Sequence, residues 1–196
     1  ANDELLVDYA EISDGKLVIN GYDYSVLILP RVLCIDPATL EKIGRFVQAG
    51  GTVFALDTLP TVSGGLVGHE ARDARLEDLV ERLFATQGGE KTVGRGRSWY
   101  LPDCDGFEYL ERWAGYAGAW DPVPTPPLSP AYEAFIAAMH SRLVPDFELA
   151  DKAQSDGLTF RRTAIGDVDC WFITNLQPNA RKTEITLNTR GKYPQA

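Results

Sequence analysis

The sequence predicts an α/β protein: a parallel sheet with helices on both faces, followed by antiparallel strands. Three observations carry that prediction. Val26-Leu27-Ile28-Leu29 is an unbroken apolar run, too short for a helix and stopped by Pro30, as expected of a strand covered on both faces. Thr52-Val53-Phe54-Ala55-Leu56 is a second such run, and the residues between them carry a helical pattern, so the segment reads strand, helix, strand. From Pro145 onward the pattern becomes strand-like, at Leu158–Arg162, Val168–Asn175 and Thr183–Leu187, with turn residues between. The expected division is therefore an α/β domain over 1–144 and an antiparallel β segment over 145–196.

Taken in order, residues 5–9 and Lys16–Ile19 are short candidate strands separated by the turn Ser13-Asp14-Gly15. Asn20-Gly21 turns the chain again before the first buried run. Asp36 followed by Pro37 is a helix N-cap with proline at the first helical position. Leu40, Ile43, Phe46 and Val47 form its apolar face, and Gly50-Gly51 stop it. After Leu56 the loop 57–65 leaves the carboxyl end of a central strand, where open parallel sheets bind ligands. Residues 72–86 form a helix with Leu76, Leu79, Val80, Leu83 and Phe84 on one face, ending at Gly88-Gly89. Lys91–Val93 and Arg97–Leu101 flank Gly94-Arg95-Gly96, and Trp99-Tyr100-Leu101 extends the same sheet. A helix is expected over 105–119 and a proline-rich extended connection over 121–130, followed by a helix over 131–144.

Composition excludes several classes. The hydrophobic fraction of 44% fits a globular chain with a normal core, so disorder is not expected. A net charge of -9 argues against duplex nucleic acid and against anionic membrane surfaces as partners. No apolar run approaches the roughly 20 residues that span a bilayer. The start, ANDELLVDYAEI, is acidic and mixed, which does not read as a signal peptide, and the absence of an initial Met fits a processed product or a piece of a longer chain. Cys34, Cys104 and Cys170 lie far apart, and His69 and His140 have no ligand-spaced partners, so neither a zinc site nor a disulfide framework is expected. No cofactor is implied.

Candidate chemistry is sparse. Cys34 follows a strand and precedes a helix, but Val32-Leu33-Cys34-Ile35 has no glycine for a nucleophile elbow, so a structural thiol is the better account. Asp103-Cys104-Asp105-Gly106 starts like a calcium loop, yet Phe107 and Ala114 fall where oxygen ligands are required. Gly94-Arg95-Gly96 precedes a strand rather than a helix and so reads as a turn, not a phosphate loop. Trp99, Trp113, Trp120 and Trp171 could stack sugars but more often pack cores. Asp57, at the end of a central strand, is the residue to watch, with capping or bonding of the loop backbone as its expected work. No catalytic residue and no metal ligand is assigned.

Several blocks carry a resemblance. Tyr24–Pro30, Pro37–Ile43 and Phe46–Val53 resemble the amidotransferase-like domain attached to large glycoside hydrolases. Val93–Arg97, Pro145-Asp146-Phe147, Leu158–Arg162, Gly166–Asn175 and Gly191–Pro194 follow in an order similar to the region after the catalytic barrel in glycoside hydrolase family 106, the alpha-L-rhamnosidases. Where that family has histidine-arginine in its strand, this chain has Arg161-Arg162. The resemblance implies a flavodoxin-like or class I glutamine amidotransferase-like sheet, and catalytic carboxylates and calcium ligands in an upstream barrel. It implies a non-catalytic accessory piece whose partner is the catalytic barrel of the same polypeptide, with carbohydrate as a further partner, in a secreted or periplasmic setting. Asn175 is the matching residue that the resemblance offers as a structural or site-lining contact. A stand-alone amidotransferase-like hydrolase and a carbohydrate-binding or oligomerisation module are the alternatives.

Overall fold

A computed structural model describes residues 3–105, 128–151, 158–166, 168–176, 178–180 and 182–188. The expected helix over 105–119 and most of the proline-rich connection lie outside the described residues. Among the described residues, one compact unit holds those up to 105 with 128–137, and a second holds those from 138 on.

The first unit is a mixed α/β structure. It contains β1 (Glu11–Ser13), β2 (Lys16–Ile19), β3 (Tyr22–Tyr24), β4 (Val26–Pro30), α1 (Pro37–Gln48), β5 (Thr52–Leu56), α2 (His69–Leu83), β6 (Gly89–Val93), β7 (Gly96–Leu101) and most of α3 (Pro130–His140). Strands β4, β5 and β7 run parallel, β6 pairs antiparallel with β7, and the sheet order is β4-β5-β7-β6. β1, β2 and β3 form a separate antiparallel sheet.

Local chemistry explains the helix between the strands. The Asp36 carboxylate accepts from Ala38 N at 2.8 Å, satisfying one orphan amide of α1, and Pro37 occupies the first turn, where no N–H is needed. Leu40, Ile43, Phe46 and Val47 are buried on the sheet, each contributing about 1.5–3 kcal/mol relative to exposure. Strand alternation then separates two faces. Val53 and Ala55 join α1 and α2 in one apolar cluster, and Ser98, the register partner of Val53 on β7, is buried and donates to Leu83 O. Phe54 points the other way. It stacks on Trp99 with ring centroids 6.0 Å apart and meets Phe135 of α3 edge-on at 5.3 Å.

The Gly94-Arg95-Gly96 turn is a packing seat for the end of α1. A Cβ on Gly96 would lie 2.1 Å from Val47 O and 2.2 Å from Gly51 O, and Arg95 N donates to Gln48 O at 3.0 Å. Only a residue without a side chain lets β7 pass this close to the helix end.

Several expectations are corrected. Residues Leu5–Tyr9 form a short π-helical turn closed by Ala10 N donating to Leu5 O, not a strand. Only Leu6 of that turn is buried, which is the signature of one helical contact rather than an alternating face. β4 is an edge strand in the described sheet, with Leu29 buried and Ile28 exposed, so it is not covered like β5, whose five residues are all buried. The second helix begins earlier than expected, at His69, because the loop before it is braced to its first turn. Residues 22–24 and 147–149 are strands that their sequence, exposed in the first case and short in the second, does not announce.

Among its described residues the second unit has two two-stranded antiparallel sheets rather than the one expected sheet. β9 (Leu158–Ile165) pairs with β10 (Val168–Asn175), while β11 (Ile185–Leu187) pairs with β8 (Phe147–Leu149). Phe147 stacks on Phe160 at 4.5 Å between centroids. Arg162 bonds Asp146 at 2.8 Å and Asp169 at 3.1 Å while lying over the Trp171 ring. These carboxylates, Asp169 first, raise the Arg162 pKa further and hold the guanidinium charged.

Candidate functional site

The carboxyl ends of β4, β5 and β7 bring together a polar cluster of Arg31, Asp57, Tyr100 and Asp105. Parallel register pairs Pro30 with Leu56 and Leu56 with Leu101, so the next residues leave the sheet side by side. Arg31 and Asp57 are both left-handed, at φ 46° and 67°. Aspartate tolerates that conformation; for arginine it is uncommon and needs support from its surroundings. Here Arg31 Nε donates to the Asp57 carboxylate and its Nη2 donates to Asp105 at 3.1 Å. Arg31 N donates to Leu56 O at 3.1 Å, and Asp57 N to Leu101 O at 2.9 Å. Tyr100 adds its hydroxyl to Asp57 O at 3.3 Å, and burial, followed by the charges of Asp57 and Asp103, pushes its pKa up.

Asp57 is thus an ion-paired strand-end residue. Its partner is a guanidinium, which has no lone pair to take a proton, so the pair is not a nucleophile with its base. Sequence reasoning singled out Asp57 but missed Arg31. The signal was the Pro30-Arg31 step at the end of an apolar run, and it becomes readable only once the register with β5 is known.

The loop after Asp57 is braced in detail. Ser63 N and Ser63 Oγ both donate to the Asp73 carboxylate at 2.7 Å. Those two bonds, the side-chain one first, hold the Asp73 pKa below its ordinary value. A carboxylate held low is a poor base, so Ser63 is anchored rather than activated. Arg72 donates to the carbonyl oxygens of Gly64 and Gly65, both at 2.8 Å, and of Val67. His69 Nδ1 donates to Leu66 O at 3.0 Å, which leaves the ring committed to the same loop.

The other candidates take structural places. Cys34 is exposed, forms an isolated parallel bridge with Val62 and has no left-handed backbone, so it does not sit on an elbow. None of the three cysteines is in a disulfide. Asn175, in the second unit, donates Nδ2 to Asn179 O at 2.9 Å and closes the turn after β10. Trp99 packs on Phe54 and Trp171 lies against Arg162, whereas Trp113 and Trp120 lie outside the described residues. A groove of about 390 Å³ between α1 and α2, lined by Leu40, Glu41, Arg45 and Arg82 among others, lies away from the strand ends. Among the described residues no group of three or more His, Cys, Asp or Glu could hold a metal ion. No described helix is long and apolar enough to cross a membrane.

No known sequence family matches the chain, and no curated protein matches it. Its fold is similar to part of a solved rhamnosidase from Novosphingobium sp. PP1Y, with a TM-score of 0.64 and 19% identity. The match covers 94% of this chain and 15% of the rhamnosidase chain, so the similarity is to a small part of a much larger protein.

Proposed function

We propose that this chain is a non-catalytic accessory piece of a large glycoside hydrolase of the rhamnosidase kind, buttressing a catalytic barrel that lies elsewhere in the same polypeptide. The observation that carries the reading is the fold likeness itself, which takes in nearly the whole chain and only a small part of a rhamnosidase. In this reading residues 1–144 form a flavodoxin-like or amidotransferase-like domain, and 145–196 form an antiparallel segment appended to it. The loop from Asp57 to Gly65 leaves the sheet where ligand contacts gather in open α/β folds. It is the part offered to the rim of a sugar site, while the acid and base of hydrolysis come from the barrel. The stand-alone hydrolase reading loses support because the strand-end aspartate is neutralised by Arg31 and Ser63 is tied to a weak base.

A carbohydrate-binding role is the second reading. Tyr22 and Tyr24 share one face of β3 and are both exposed, an arrangement suited to stacking on sugar rings. Binding of soluble rhamnosides that disappears in Tyr22→Ala would favour it.

The deciding experiment is hydrolysis of p-nitrophenyl glycosides, the rhamnoside included, by this chain and by the longest natural product that contains it. Activity confined to the longer product is expected. Turnover by the 196-residue chain alone would overturn the accessory reading, and Asp57→Asn would then be the first variant to assay.

A further inference from the structure

We propose that the loop over residues 61–68 is a docking key whose apolar tip, Leu66 and Val67, seats in an apolar pocket on a neighbouring domain of the same polypeptide. This rests on the accessory reading and names the surface through which it would work.

Among the described residues the tip is the most exposed apolar feature of the first unit: Leu66 is 92% and Val67 89% accessible. Exposed aliphatic residues on a slack loop would be unremarkable, because much of any folded protein's surface is apolar. This loop is not slack. Arg72 grips three of its carbonyls, Asp73 holds both donors of Ser63, and His69 takes the carbonyl of Leu66 itself. At its root, Thr61 N and Val62 N donate to Leu33 O, and Ile35 N donates to Val62 O. Three charged or titratable side chains are spent on holding two aliphatic ones out in water. Such preorganisation lowers the ordering entropy of a later contact and does nothing for burial within this unit.

The loop's chemistry selects the occupant. Thr61-Val62-Ser63-Gly64-Gly65-Leu66-Val67-Gly68 has no ionisable side chain and no aromatic ring. It therefore lacks the stacking surface of a sugar site. Its nearest cation, Arg72, faces the loop's own carbonyls, so an anionic headgroup or phosphate has no dedicated partner. An apolar protein pocket is what remains. Area then decides between a second copy and a tethered domain. Leu66, Val67 and the half-exposed Leu33 and Val62 are four aliphatic side chains, far short of the roughly 1,000 Å² that holds free chains together. Within one polypeptide, tethering supplies an effective concentration in the millimolar range, at which so small a contact is occupied.

The test is amide hydrogen exchange over 62–68, in this chain and in the longest natural product, each with and without Leu66→Asp/Val67→Asp. The expected result is at least tenfold slower exchange of the loop in the longer product, lost in the double variant. In the 196-residue chain alone the variant should leave the melting temperature unchanged, since neither side chain is buried there. Protection elsewhere on this unit but not at 62–68 would overturn the docking key and leave the accessory reading standing. No protection anywhere on this unit would overturn both. Concentration-dependent protection in the isolated chain would assign the tip to a second copy and likewise overturn the proposal.

Discussion

Replacing Gly96 by alanine tests whether the fit between β7 and the end of α1 holds the sheet together. The added Cβ would stand 2.1 Å from Val47 O and 2.2 Å from Gly51 O, where carbon and oxygen ordinarily approach to about 3.3–3.6 Å. More than an ångström must be found. Neither obstacle is a side-chain end that can swing away: both are backbone oxygens already engaged. Gly50 N donates to Val47 O at 2.9 Å, and Arg97 N donates to Gly51 O at 3.1 Å. Overpacking costs about 1–3 kcal/mol. Weakening two backbone hydrogen bonds adds about 0.5–1.5 kcal/mol each. Alanine's smaller unfolded-state entropy returns about 0.4–1 kcal/mol. The net loss is about 3 kcal/mol, or a fall in melting temperature of roughly 6–12 °C for a chain of this size. Gly44→Ala is the control. Gly44 lies inside α1 with nothing within 4 Å of the added Cβ, so alanine there should stabilise by about 0.5–1 kcal/mol. Urea unfolding followed by circular dichroism reads both. A Gly96→Ala variant within 1 kcal/mol of the parent, or a shift of both variants in the same direction, would refute the packing argument.

The brace of the 61–68 loop should depend on pH. Because Asp73 titrates below its ordinary value of 3.8, the order it lends the loop is fully present above that value and lost as the pH falls through the lower folded one. Carbon-detected NMR titration of the carboxyl should show a depressed midpoint that Ser63→Ala returns toward the ordinary value; an unchanged midpoint would remove Ser63 as the cause. In the second unit, Arg162→Ala should destabilise by about 2–4 kcal/mol, because it removes a cation from a carboxylate, Asp169, that is only 7% exposed. Lys16→Ala, which breaks the exposed pair with Asp23, should change stability by less than about 1 kcal/mol. Equal effects of these two substitutions in chemical denaturation would show that burial does not set the difference.

Features under local chemical control were legible along the chain. Asp36-Pro37 started α1, the spacing of Leu40, Ile43, Phe46 and Val47 set its buried face, and the apolar run from Thr52 to Leu56 marked the most buried strand. Capping, helical period and strand burial are written within a few residues, so each could be read without a partner. Everything that depends on which strand lies beside which came from long-range packing. That packing placed β4 at the edge of the described sheet and made Leu5–Tyr9 a helical turn. The Gly94-Arg95-Gly96 turn became the seat of a helix end, and β11 was sent to β8 instead of to the β9–β10 hairpin. The strand-end cluster shows the reason most clearly. Asp57 was legible because it ends an apolar run, but Arg31 lies 26 positions earlier and Asp105 a further 74 positions beyond Arg31. Only parallel register carries such distant side chains to one place, and register is a property of paired strands that no single segment contains.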